Sequence, residues 1–181
     1  MKSIVVILLG LISFSLFSAE VDGIKFADKI KLDNKELVLN GIGIRKATFL
    51  KIKVYYGALY LEAKNKDAAN FVASKSPKQI IMHFVRDVEA KKLRDGFVEG
   101  MEAANKNHQS LKAQLEKFNA QVTDVKKGDE FVVNFHEDGV SLIAKGKAGE
   151  KIQGADFSSA LLNIWFTNPR DEDLKNGLLG I

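Results

Sequence analysis

Two glycines and an arginine carry the most chemically suggestive spacing in this sequence, Gly41-Ile42-Gly43-Ile44-Arg45. Side chains alternate along a strand, so Gly41, Gly43 and Arg45 share one face if the strand is regular. Two missing side chains beside an arginine leave room for a ligand or for another backbone. The guanidinium is a planar fork suited to a carboxylate. An ordinary surface arginine at a strand end would show the same pattern, because charged side chains are mostly exposed. Other candidate chemistry is thinner. His83, His108 and His136 are scattered, with neither paired spacing nor an H-E-x-x-H motif, so no metal site is expected. His83 lies in an apolar run and reads as a hydrogen-bonded structural histidine. Ser158-Ser159 lacks the G-x-S-x-G setting of a nucleophile and reads as a helix start. Gly41-Ile42-Gly43 is not followed by the third glycine and helix of a dinucleotide fingerprint. Asp171-Glu172-Asp173 fits a helix N-terminus, where negative charge is favourable. No catalytic set and no cofactor site emerges from these residues.

The chain that must position Arg45 begins with a leader. Lys2 precedes the apolar run Ile4–Phe17, which ends on Ser18-Ala19. A basic start, an apolar middle and a small-residue exit form a secretory signal peptide, with cleavage expected after Ala19. The run is short for a bilayer span, which needs about 20 apolar residues. An uncleaved anchor is the alternative. Export predicts a periplasmic protein whose one domain covers residues 20–181. The chain has no cysteine, which excludes disulfides, thiolate chemistry and a lipid anchor at the cut. The formal charge of +4 is spread as lysines among acids, which predicts a solvated mixed surface and no nucleic-acid partner. Lys91, Lys92 and Arg94 could touch anionic lipid headgroups but read better as a solvated helix face, so a membrane contact is possible but not indicated.

Strand patterns dominate the first third. Gly23–Phe26 alternates, Asp33-Asn34 marks a turn, and Glu36–Asn40 resumes extended chain. A short polar turn after Arg45 leads into Lys51–Leu61, rich in β-branched and aromatic residues. A short helix over Asp67–Ala73 is broken by Ser76-Pro77, and Gln79–Val85 reads as a buried strand. Leu93, Phe97, Met101 and Ala104 recur at helical spacing, as do Leu111, Leu115, Phe118 and Val122. Phe131–Phe135 and Val140–Lys145 form a strand pair around Asp138-Gly139, a two-residue hairpin signal. Phe157, Leu161, Ile164 and Trp165 make one helical face, stopped by Asn168-Pro169. Asp171 reads as the cap of a last helix carrying Leu174 and Leu178 and closed by Gly180. This order predicts an α+β domain, an antiparallel sheet covered by helices on one face.

Three segments together resemble the chalcone isomerase-like superfamily in its exported bacterial branch: Leu39–Arg45 running into Lys53–Leu61, Lys92–Phe97, and Ala160–Trp165 with Asp173–Gly180. The resemblance implies an open-faced β-sandwich with a ligand cleft between a large antiparallel sheet and a helical layer. Its plant enzymes close a flavanone ring, with an arginine holding the substrate oxyanion. Its non-enzymatic members bind fatty acids, with that arginine and a nearby tyrosine facing the carboxylate. Arg45 matches the arginine. Tyr55 falls where the fatty-acid binders have tyrosine and the enzymes threonine; a phenol can donate to a carboxylate and line an apolar tunnel. The enzymes' helical tyrosine and asparagine fall near Glu89 and Gly96, which cannot make the same hydrogen bonds. Asn163 is the candidate for the C-terminal polar position of the cleft. The resemblance therefore implies a non-catalytic protein that binds a fatty acid or similar amphipathic carboxylate through Arg45, Tyr55 and Asn163. The alternative is an isomerase, an intramolecular lyase acting on an enone or phenolic substrate.

Overall fold

A computed structural model describes residues 18–181. The leader expected over residues 1–19 lies outside the described residues, apart from Ser18 and Ala19. These pair with Ala27 and Phe26 in a hairpin of β1 (Ser18–Val21) and β2 (Ile24–Ala27). Among the described residues, no helix is long and apolar enough to cross a membrane.

The main sheet is antiparallel throughout. It is built from β3 (Lys29–Leu32), β4 (Lys35–Ala47), β5 (Ile52–Leu61), β6 (Lys78–Phe84), β7 (Glu130–His136), β8 (Gly139–Ala144), β9 (Lys147–Ala148) and β10 (Ile152–Gln153). Its order is β10-β8-β7-β6-β5-β4-β3, with β9 added on β8. Asp33 and Asn34 take φ of 50° and 60°, the left-handed pair that a tight hairpin between β3 and β4 requires. The sheet curls until Asp33 at this turn reaches His136 Nδ1 at 2.7 Å, although three strands separate β3 from β7. The β7–β8 hairpin forms as expected, but its turn is Glu137-Asp138, one residue earlier, because His136 pairs with Gly139. Gly139 is needed for another reason: a Cβ there would strike the Ile152 carbonyl of β10.

One face of the sheet carries α1 (Ala68–Ala73), α2 (Ala90–Ala104), α3 (Lys112–Ala120), α4 (Ala155–Asn163) and α5 (Glu172–Leu179). Leu93, Phe97 and Met101 form the buried stripe of α2, as their spacing predicts. With Leu59, Phe84, Phe118, Phe131, Phe157 and Trp165 they make the larger core. The opposite face is not simply open. Phe26, Leu37, Tyr56, Ala58 and Tyr60 form a second core there, with Phe26 supplied by β2 and the Tyr60 hydroxyl donating to the Ala27 carbonyl at 2.9 Å. Coverage on both faces is why β5 is buried at every position from Tyr55 to Leu61.

Two bulges tune the sheet where it matters. In β4 the register with β5 slips between Leu39 and Gly41, so Asn40 is the extra residue. Leu37 and Leu39 pack into the second core before the slip, and Ile42 and Ile44 do so after it. Gly41, Gly43 and Arg45 are thereby turned together toward the helices. A second slip opposite Arg45 and Lys46 inserts Val54 into β5. Val54 and Tyr55 both end on the helical side.

Candidate functional site

Helix α5 lies directly on the glycine-bearing part of β4. A Cβ at Gly43 would collide with the Leu174 carbonyl, one at Gly41 with the Gly177 carbonyl, and one at Gly177 with the Gly43 backbone. The room beside Arg45 thus belongs, over the two glycines, to another backbone. Asn40 secures the contact: its Nδ2 donates to the Leu178 carbonyl at 2.8 Å, and its Oδ1 accepts from the Asn65 N–H at 2.7 Å. At the other end of α5, Asp171 caps the helix by accepting from the N–H groups of Asp173 and Leu174. The same carboxylate accepts from the Lys46 N–H at 2.6 Å and from Arg45 Nη1 at 3.3 Å. Arg45 Nη1 also donates to the Lys46 carbonyl. One corner of the guanidinium is therefore held by α5, while among the described residues Nε and Nη2 have no hydrogen-bond partner.

Beyond Arg45 the sheet and helices part. They enclose a cavity of about 690 Å³, lined from β4 and β5 by Arg45, Ile52, Val54 and Tyr55, and from α2 by Leu93, Gly96, Phe97 and Gly100. Trp165, Ile164, Leu174 and Met82 complete its apolar wall. Its volume lies in the usual range for small-molecule sites, roughly 300–1,000 Å³. Arg45 and Tyr55 are direct cross-strand partners in the β4–β5 register, so they stand side by side in this wall. The Tyr55 hydroxyl accepts a hydrogen bond from Trp165 Nε1 at 3.2 Å. Among the described residues its own hydrogen meets no acceptor. Burial pushes the phenol up to about 12, against the opposing pull of the Trp165 N–H and the Arg45 charge. The hydroxyl thus stays a donor at any physiological pH.

The rim is charged. Lys126 pairs with Asp87 at 2.9 Å, Arg170 with Glu99 at 2.5 Å, and Asp124 accepts from the Ala90 N–H at 2.7 Å. Glu89 and Gly96 both line the cavity. A Cβ on Gly96 would meet only Arg170 Nη1, at 3.9 Å, so that side of the cavity is free space.

Asn163 is placed elsewhere. It does not line the cavity; its Nδ2 donates to the Ala104 carbonyl at 3.3 Å, and its Oδ1 accepts from Thr167 Oγ1 at 2.6 Å. It ties the end of α4 to the end of α2. The cavity uses the next two residues, Ile164 and Trp165. Trp165 and Asp171 were visible in the sequence as a helical-face residue and a cap, but their attachment to Tyr55 and Arg45 comes from contacts 110 and 126 residues apart.

The histidines form no metal group among the described residues. His83 Nδ1 pairs with Glu130 at 2.8 Å across neighbouring strands. His136 stands between Asp33 and Ser141 Oγ, at 2.7 and 2.9 Å, the bond order of a serine nucleophile's relay. Ser141 belongs, however, to a polar ladder on the face away from the helices, where Asn134 Nδ2 reaches its Oγ at 3.3 Å and Gln79 Nε2 reaches Asn134 at 2.6 Å. Neither Ser141 nor His136 lines the cavity. The ladder joins the curled β3–β4 turn to β7 and β8.

A curled antiparallel sheet with a helical layer defines an α+β domain, and an apolar cavity with an arginine–tyrosine pair in its wall lies between the two layers. Residues 18–180 match the model of the chalcone isomerase-like family, and the chain belongs to that family. No curated protein sequence matches the chain. Among solved structures it is similar to a fatty-acid binding protein of Arabidopsis thaliana, with a TM-score of 0.70 and 15% identity over 90% of this chain and 96% of that one.

Proposed function

We propose that this protein binds a fatty acid, or a similar amphipathic carboxylate, in the cavity between β4–β5 and α2, and that it does so in the periplasm. The observation that carries the reading is the pairing of Arg45 with Tyr55 in the wall of an apolar cavity, each with donors left unused. A carboxylate there would accept from the free side of the guanidinium fork and from the Tyr55 hydroxyl. The acyl chain would run along Phe97, Leu93 and Met82. The likeness to a fatty-acid binding protein supports the same class of ligand. The cavity residues Glu89 and Gly96 weigh against ring-closing chemistry, since neither supplies the positioned donors on which such catalysis rests. The periplasmic location rests on the leader sequence.

Native mass spectrometry of the protein taken gently from the cell envelope tests both parts: a chain beginning at or near Glu20 and carrying a fatty acid is expected. Calorimetry with a fatty-acid series then tests the grip. Arg45→Ala should weaken binding by about 2–5 kcal/mol, because a partly buried carboxylate loses its partner. Tyr55→Phe should cost about 0.5–1.5 kcal/mol. Equal affinity of wild type and Arg45→Ala would end the carboxylate reading.

A further inference from the structure

The β4–β5 turn departs from the polar loop expected of it. Its tip is Phe49-Leu50, and these are the described chain's most exposed large apolar side chains apart from the C-terminal Ile181: Phe49 is 92% and Leu50 65% exposed. The turn holds them outward. Thr48 and Lys51 take φ of 63° and 49°, the Lys51 N–H donates to the Thr48 carbonyl at 3.1 Å, and the Leu50 N–H reaches Thr48 Oγ1 at 3.3 Å. The flanks are uniformly basic. Residues 45–53, Arg-Lys-Ala-Thr-Phe-Leu-Lys-Ile-Lys, hold four cations and no acid. Lys46 and Lys53 pair with Asp173 and Asp22 at the base of the hairpin, while Lys51 at the tip has no acidic partner among the described residues. The tip also borders the cavity, since Ala47, Thr48 and Ile52 line it.

We infer that the Phe49-Leu50 tip docks this protein on anionic phospholipid bilayers, with the cavity mouth facing the membrane. A phenylalanine and a leucine insert at the level of the acyl-chain boundary, and flanking lysines meet lipid phosphates with their stems along the apolar layer. A second copy of the chain is a poorer occupant. Two side chains offer far less area than the roughly 1,200 Å² that a stable protein interface needs. The inference goes beyond the ligand reading and does not depend on it.

The test uses the full chain, which has no native cysteine. Leu50→Cys carries an environment-sensitive dye at the tip. Lys64→Cys carries the same dye beyond the far end of β5. Vesicles of phosphatidylglycerol and phosphatidylcholine should shift the tip dye to the blue and leave the distal dye unchanged. Pure phosphatidylcholine or high salt should weaken the response at least ten-fold. Lys51→Ala should weaken it about five-fold, and Phe49→Ser should abolish it with an unchanged urea midpoint. The apolar residues before Ser18 can bring either labelled chain to a vesicle, but only insertion of the tip moves the dye at position 50. A tip dye indifferent to anionic vesicles overturns the inference. So does a shift that rises with protein concentration alone, which would assign the tip to a second copy. Neither readout involves a fatty acid, so the two readings fail separately.

Discussion

Strand β4 presents the same face to two different surroundings within five residues. At Gly41 and Gly43 the face is closed, with α5 lying backbone against backbone on the strand. At Arg45 it is open, and the arginine and its partner Tyr55 look into a cavity. The closed part works because nothing projects from β4; the open part works because α5 begins just there, at Asp171, whose carboxylate holds the first turn of the helix and one corner of Arg45. The comparison teaches that the glycines do not make the ligand space. They seat the helix whose capped end marks where the ligand space starts.

The largest effect should come from breaking the closed side. Gly43→Ala places a methyl against the Leu174 backbone, which cannot move aside as a flexible side chain would. We expect a loss of about 3 kcal/mol or more in stability, by urea unfolding. A cost below about 1 kcal/mol would show that α5 is loosely seated and that the contrast between the two regions is false.

Asp171→Asn probes the border. Asparagine caps a helix about as well as aspartate, so α5 should persist with Oδ1 on the Asp173 and Leu174 N–H groups, while the Lys46 N–H and Arg45 lose their acceptor. The negative charge beside Arg45 is gone, and fatty-acid affinity should rise by about 0.5–1 kcal/mol in calorimetry. A fall in affinity would mean that Asp171 orients Arg45 for the ligand more than it competes for it.

An effect just as small should come from the open side. Gly96→Ala adds a methyl on α2 where only Arg170 Nη1 is near, at 3.9 Å. Stability should increase by about 0.5–1 kcal/mol, because alanine loses less backbone entropy than glycine in a helix. The same glycine-to-alanine change thus has opposite signs on the two sides. A destabilised Gly96→Ala would mean that the cavity is narrower than the structure shows.

Much of this arrangement was legible in local chemistry. Asp33-Asn34 turns the chain because both residues tolerate left-handed backbone, and Asp171 and Gly180 bound α5 because one accepts its free N–H groups and the other takes φ of 67°. The stripe Leu93-Phe97-Met101 and the strand-rich first third follow from periodicity, which depends only on neighbours in sequence. Alternation also put Gly41, Gly43 and Arg45 on one face, and the Asn40 bulge before them decides that this is the helical face. What tertiary structure alone decided is which neighbour each of these groups meets. The sequence left a ligand and a backbone as equal occupants of the glycine face, and the docking of a helix more than 130 residues away chose the backbone. Register, set across strands by that packing, made Arg45 and Tyr55 partners. The turn after α4 sent Asn163 toward α2 and Trp165 toward Tyr55. Such choices depend on contacts between distant segments, and no local pattern of residue types encodes them.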